Sequence, residues 1–239
     1  CIGMLVEGFD QPFATGMTYN LPYYQDQLTA NGFRKHNDHY SGYLDHHLDP
    51  RIHEVGKRVL AKGNFQIFRF QNTEEMKAWI PRVDDVHHKA FAENPDFVPS
   101  TPAEFELLAR NIIALADPRY IEIILHGEEI AGFLIAFPNI NSGLRFAHGK
   151  MFPFGWAGIL LSKKYSRTVD LEGVGLLPEY QGLGGNALLY SEIDRVFMNS
   201  RFKHAEIVQV DERNFRSQSD MKTMNVVWNK VHRTFEKEI

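Results

Sequence analysis

The sequence predicts an α/β fold built on a mixed sheet, and three stretches carry the prediction. Residues 173–189 run Gly173-Val174-Gly175-Leu176-Leu177-Pro178-Glu179-Tyr180-Gln181-Gly182-Leu183-Gly184-Gly185-Asn186-Ala187-Leu188-Leu189. They pass from an apolar strand through a Pro-Glu turn and a glycine-rich loop into a helical pattern. Residues 120–125 and 130–137 flank His126-Gly127-Glu128-Glu129 and read as a β-hairpin. Ahead of the hairpin, Thr101, Pro102 and Glu104 spell a helix start with a capping box. Strands and helices interleaved around a central hairpin make an α/β layout, though not the strict alternation of a doubly wound sheet.

At 239 residues, 44% hydrophobic and 23% charged, the chain has room for one large domain or two small ones with ordinary cores. A net charge of -4 with no long basic run argues against a nucleic-acid partner. Cys1 is the single cysteine, so no internal disulfide forms, and a reducing, cytoplasmic compartment is expected. The longest apolar run, 151–161, is too short to span a bilayer, and no membrane partner is expected from it. The opening residues lack a basic n-region and a long apolar h-region. A start at Cys1 rather than Met leads us to expect more chain upstream.

Residues 1–47 read as the tail of something larger. Residues 20–31 hold a short helical pattern (Tyr23, Tyr24, Gln27, Leu28), with Pro22 in its first turn and Asn31-Gly32 as its stop. Residues 33–44 follow as a strand anchored by Tyr40 and Leu44. Such a piece buries too little to stand alone, so it is expected to pack on another part of the chain, on an upstream unit or on a homodimer mate. Residues 48–63 predict a linker helix with Asp49 as N-cap, Pro50 at its first position and a stripe of Ile52, Val55, Val59 and Leu60. The expected division is therefore 1–47, a linker over 48–63, and a main domain over 64–239.

In the main domain, residues 65–70 are a strand. A helix over 73–94 carries Met76, Trp79, Ile80, Val83, Val86, Ala90 and Phe91 at helical period, with Pro81 as a kink or break. The capped helix from Thr101 presents Phe105, Leu108, Ile112, Ile113 and Leu115 and stops at Asp117-Pro118. After the hairpin, residues 138–167 read as a long insertion, with loop signals at Pro138, Asn139, Asn141 and Gly143. Residues 169–177 return as a strand. The helix over 185–199 has Leu188, Leu189, Ile193, Val196 and Phe197 as its buried face. A strand over 205–210, a helical piece near 217–224 and a strand near 231–239 end the chain.

Glycine permits positive φ and lets a ligand approach the backbone closely. The first N–H groups of a helix have no intrahelical partner and carry partial positive charge. Strand, glycine loop and helix start in that order make an anion site, usually for phosphate; the alternative is a helix start with no ligand. The loop comes late, after the fourth strand of the main domain, which argues against a dinucleotide-binding domain. A Walker-type Gly-Lys-Ser/Thr is absent.

The element order and the Gln181-Gly182-Leu183-Gly184-Gly185 loop resemble the GNAT superfamily of acyl-CoA-dependent N-acyltransferases over residues 64–239. The family's loop reads Gln/Arg-x-x-Gly-x-Gly/Ala. Gln181 and Gly184 match it, and Asn186 stands at the last position. Residues 1–47, with Asn20, Tyr23, Tyr24 and Gly32-Phe33, are similar to the closing half of the same fold, which suggests a truncated tandem pair.

The resemblance implies acyl transfer, most simply acetyl from acetyl-CoA, to a small-molecule or peptide amine. The loop from Gln181 through Gly182, Leu183, Gly184 and Gly185 to Asn186 would hold the pyrophosphate. Backbone groups at Leu176 and Leu177 would meet the pantetheine arm and supply an oxyanion donor. Asn214 would lie near the same arm. Of the two strand acids, Asp170 and Glu172, the second occupies the family's base position. Met221 stands where the family often has its acid, a tyrosine, so a non-catalytic acyl-CoA-binding or scaffold module is a competing reading. A longer-chain N-acyltransferase is another, prompted by the aromatic run in 149–156. That run reads as a lid, as an acyl pocket, or as a seam against a neighbouring unit. The His pairs at 46–47 and 87–88 lack a third spaced ligand, so no metal is expected and the histidines read as surface or boundary residues.

Overall fold

A computed structural model describes residues 2–45, 48–91, 98–148, 150–198 and 200–238. In chain order it contains β1 (Met4–Glu7), α1 (Tyr23–Ala30), β2 (Arg34–Leu44), α2 (Pro50–Ala61), β3 (Phe65–Arg69), α3 (Thr73–Ala78), α4 (Ile80–Phe91) and α5 (Pro102–Leu115). There follow β4 (Ile121–His126), β5 (Glu129–Pro138), α6 (Asn141–Ala147), α7 (Gly155–Tyr165), β6 (Thr168–Leu176), α8 (Gly185–Met198), β7 (His204–Asp211), α9 (Phe215–Thr223) and β8 (Val227–Glu236). The α/β class is as the sequence predicts. The expected helix end at Asn94, the His46-His47 pair, and the end residues Asn199 and Ile239 lie outside the described residues.

Two compact units form, and neither follows the linear order of the chain. One comprises Cys1–Asp45, Asn139–Asp170 and His204–Ile239; the other His46–Pro138 and Leu171–Lys203.

In the first unit the strands lie in the order β1-β8-β2-β7. All three pairings are antiparallel, with Met4 opposite Arg233, His39 opposite His232 and Tyr43 opposite Glu206. The segment before residue 45 thus supplies an internal strand. Leu44 is buried as expected, whereas Tyr40 is only half-buried and the interior of β2 is Asn37, Asp38, His39 and Ser41. Partners compensate for those polar groups. Asn37 Nδ2 donates to Asp211 Oδ2 at 2.7 Å, and the Arg233 guanidinium donates to both Asp38 oxygens at 2.7 and 2.9 Å. The predicted insertion is a pair of helices, α6 and α7. Gly143 and Gly158 let them touch, since a Cβ on Gly143 would stand 2.5 Å from Gly158 O.

In the second unit the order is β6-β5-β4-β3, and β4–β5 is the predicted hairpin, turning at Gly127 with φ +62. One face carries a core of Phe70, Met76, Val86, Ile121, Ile123 and Phe133 with Trp79, Val83 and Ala90 packed on it. The expected long helix breaks at Trp79, leaving Pro81 in the first turn of α4, where its missing N–H costs nothing. The capping box of α5 is complete: Glu104 Oε2 accepts from Thr101 N at 2.8 Å, and Thr101 Oγ1 accepts from Glu104 N at 3.4 Å. Its buried face keeps Phe105 and Ile113 of the expected stripe but runs through Ala109 in place of Leu108. Phe105 and Ala109 are buried and Leu108 is exposed. On the opposite face α8 buries Leu188, Leu189, Ile193, Val196 and Phe197, all as the period predicts. Ion pairs fasten it to the sheet: Arg69 of β3 donates to Glu192 at 2.6 Å and to Glu122 of β4 at 3.1 Å, and Arg195 reaches the same two carboxylates.

Candidate functional site

The glycine loop is built from the end of β6. Leu177 N donates to Ala131 O of β5 at 2.8 Å, so that N–H serves the sheet. A 3-10 turn over Pro178–Tyr180 follows, closed by Tyr180 N to Leu177 O at 3.0 Å. Gln181 then donates its Nε2 back to Leu176 O at 3.1 Å. Gln181 therefore shapes the loop from within, and it engages the Leu176 carbonyl.

The three glycines have three different reasons. Gly182 has φ +76 and faces open space, with nothing within 4 Å of an added Cβ. Gly184 has φ +94, and its Cβ would stand 2.5 Å from Val59 Cγ2. Gly185 opens α8, where a Cβ would meet Leu176 Cδ2 at 2.8 Å. Leu188 N closes an i−4 bond to Gly184 O at 3.2 Å, which places Gly185 and Asn186 in the first turn of α8. Leu183 is exposed. An open backbone at Gly182 beside a fourteen-residue helix N-terminus fits a phosphate group.

The predicted linker α2 braces this loop. Besides Val59 against Gly184, Gly56 packs on Ser191 of α8, His53 Nε2 meets Asp194 Oδ2 at 2.6 Å, and His53 Nδ1 meets Ser191 Oγ at 3.0 Å. Leu48 N donates to Asp194 Oδ1 at 3.2 Å. The helix is part of the site's scaffold.

β6 presents two different faces. Glu172 is half-buried and shares the parity of Leu176, on the α8 side. Gly173 and Gly175 face the other way, where a Cβ on Gly175 would meet Phe133 Cζ at 2.9 Å and Ala90 Cβ at 3.3 Å. One turn before Ala90, the His87 ring stacks on Phe133 with centroids 6.1 Å apart. Burial holds the His87 imidazole below its ordinary pKa, so the ring is neutral at pH 7. His88 points elsewhere, to Asp84 at 3.1 Å and Ser100 at 3.1 Å. His87 is thus half-buried against the core on the face of β6 opposite Glu172. Its phase accounts for the packing, since Val83, His87 and Ala90 lie on one helical stripe.

The remaining expected residues belong to the first unit. Asn214 caps α9, its Oδ1 accepting from Ser217 N at 3.1 Å, and Met221 is buried in the same helix. Asp170 is fully buried and accepts from Thr15 N at 2.8 Å and Asn139 Nδ2 at 2.9 Å. Burial pushes its carboxyl up to about 6. Among the described residues no group of three or more His, Cys, Asp or Glu is placed to hold a metal ion.

No family model matches the chain. It is 26% identical to Protein YghO of Escherichia coli (strain K12) over 99% of this chain and 62% of that protein. It is 26% identical to the Bacterial ceramide synthase of Caulobacter vibrioides over 75% of this chain and 47% of that protein. The chain thus spans 62% and 47% of the two relatives' lengths. Among solved structures it is similar to a GCN5-related N-acetyltransferase from Sphaerobacter thermophilus, with a TM-score of 0.51 at 12% identity, over 90% of this chain and 56% of that one. It is also similar to the GCN5-related glucosamine N-acetyltransferase region of a fungal multi-domain GH3 β-N-acetylglucosaminidase, with a TM-score of 0.54 at 13% identity, over 89% of this chain and 22% of that one. The chain has the GNAT-like fold that these N-acetyltransferases share.

Proposed function

We propose that the chain is an acyl-CoA-dependent N-acyltransferase, with the glycine loop as its CoA site. The observation that carries this is Gly182, Gly184 and Gly185 opening α8 at the end of β6, the first two at positive φ. The N–H groups of that helix start would hold the pyrophosphate of the acyl-CoA. The amine nitrogen would attack the thioester carbonyl carbon; the C–N bond forms, the C–S bond breaks, and the thiolate leaves and takes up a proton. Glu172, half-buried on β6, would accept the proton that the ammonium must lose. With the Leu177 N–H engaged by Ala131, the oxyanion donor would be a backbone N–H of β6, such as that of Leu176.

Acetyl was the simplest acyl group. A relative named as a ceramide synthase favours a longer one, because a ceramide is a fatty amide of a long-chain amino alcohol. The acceptor is then a long-chain amine rather than a small polar one. The tandem-pair origin of residues 1–47 is a proposal on the same footing; both relatives are longer than this chain, which leaves room for a second unit.

Thiol release from acyl-CoAs of increasing chain length, with small amines and long-chain amino alcohols as acceptors, tests the reaction. Release that needs both substrates and rises with acyl length supports it. Binding of CoA without release for any pair would favour a non-catalytic module.

A further inference from the structure

Residues 139–169 contain Arg145, Lys150, Lys163, Lys164 and Arg167 and not one Asp or Glu, in a chain whose net charge is -4. The α6–α7 hairpin is a cationic island on an acidic protein. Its packing is also inverted. The seam between the helices is made of small residues: Gly143, Ala147 and Gly155 are buried there, and a Cβ on Gly158 would stand 2.7 Å from Phe146 Cδ1. The large apolar side chains turn outward. Phe152 is 84% exposed, Phe154 69% and Phe146 64%, with Trp156, Leu160 and Leu161 each more than half exposed. A hairpin made for water does the reverse.

Single exposed apolar residues need no explanation, but six of them on one hairpin do. Trp156 Nε1 donates to Pro153 O at 2.8 Å, so the indole's one polar group is satisfied and the ring offers carbon outward. Lys164 is exposed and stands one helical turn beyond Leu160 and Leu161 on α7. Long cationic stems can lie along apolar matter while their heads reach phosphate. Aromatic side chains rimmed by cations, with no acid among them, match an anionic headgroup layer over acyl chains. No helix among the described residues is long and apolar enough to cross a membrane, so the hairpin would lie in the plane of the surface.

We propose that the α6–α7 hairpin docks this protein onto anionic lipid bilayers. The proposal goes beyond acyl transfer and does not rest on it. It departs from the expectation of no membrane partner, which came from the lack of a spanning run; an in-plane hairpin needs none.

Flotation with vesicles of phosphatidylglycerol and phosphatidylcholine, against phosphatidylcholine alone and without CoA, tests it. The protein is expected to float with the anionic vesicles, less so at high salt. F152S/F154S should abolish flotation, and K150E/K164E should weaken it by roughly tenfold or more. Far-UV circular dichroism checks that the variants fold. In the unaltered protein, Trp156 fluorescence should shift blue on anionic vesicles, and W156F should lose that shift. Absence of flotation by the wild-type chain, or equal flotation by both variants, would overturn the proposal. So would self-association that F152S/F154S abolishes without any vesicle binding; the face would then cover a second copy.

Discussion

Val59 of α2 occupies the space that a side chain on Gly184 would need, with its Cγ2 2.5 Å from the ideal Cβ position. The loop glycines can therefore be separated by mutation. Gly184→Ala meets both a φ of +94 and Val59, and is expected to destabilise the protein by about 2–4 kcal/mol while distorting the loop. Gly182→Ala meets only its φ of +76, a cost of about 1 kcal/mol. Thermal melts of the two variants should rank them in that order. V59A/G184A should recover only the steric part, because the backbone strain remains.

Glu172→Gln keeps the shape of the side chain and removes its basicity. If Glu172 takes the amine's proton, the rate constant for acyl transfer falls by about 10²–10⁴-fold with little change in CoA affinity. His87→Phe is the contrast. His87 lies on the other side of β6 against Phe133, so its loss should leave the acidic limb of the rate profile in place. An unchanged rate and pH profile in Glu172→Gln would remove it as the base.

Lys230 Nζ meets Glu206 Oε1 at 2.5 Å between β8 and β7, with the lysine side chain fully buried. Removing one charge strands the other. Lys230→Met should cost about 3–5 kcal/mol, whereas K230M/E206L, which removes both, should cost much less. Denaturant unfolding of the two variants measures the difference.

Burial pushes the Glu206 carboxyl up to about 7 despite the lysine, and Asp170 up to about 6. Both folded-state values lie above those of the unfolded chain, about 4.3 and 3.9. A raised carboxyl pKa favours the folded state below the unfolded value, and that stability is lost as pH rises toward the folded value. Unfolding free energy should thus fall between about pH 4 and pH 7 through these two groups. Glu206→Gln should flatten part of that slope. A stability that rises over the same interval in the wild-type chain, and is unmoved by Glu206→Gln, would contradict the account.

Local chemistry made much of the fold legible. Thr101 and Glu104 cap α5 as read, the 126–129 turn closes the hairpin, and the α8 stripe is buried residue for residue. The sequence marks 138–167 only as an insertion, without its α6–α7 pair, because the apolar residues surround the helices instead of striping one side and because Gly143 carries a loop signal while it in fact lies in the seam. The interior of β2 was illegible for a different reason. Asn37 and Asp38 are buried only because Asp211 and Arg233 arrive from strands some 170 residues or more away, and single-strand pattern does not show distant partners. The course of the glycine loop from strand to helix was readable, while its brace, Val59, came from the segment read as a linker.

The central claim is that the loop opening α8 binds the phosphates of an acyl-CoA. Isothermal titration of CoA into the wild-type protein and into Gly182→Glu tests it most directly. Position 182 faces open space, so the substitution adds a carboxylate at the loop without a steric clash, and folding is checked by its melting curve. The account predicts saturable CoA binding by the wild-type chain that weakens at least about tenfold in the variant through charge repulsion. Equal binding by both folded proteins, or none by the wild type, would contradict it.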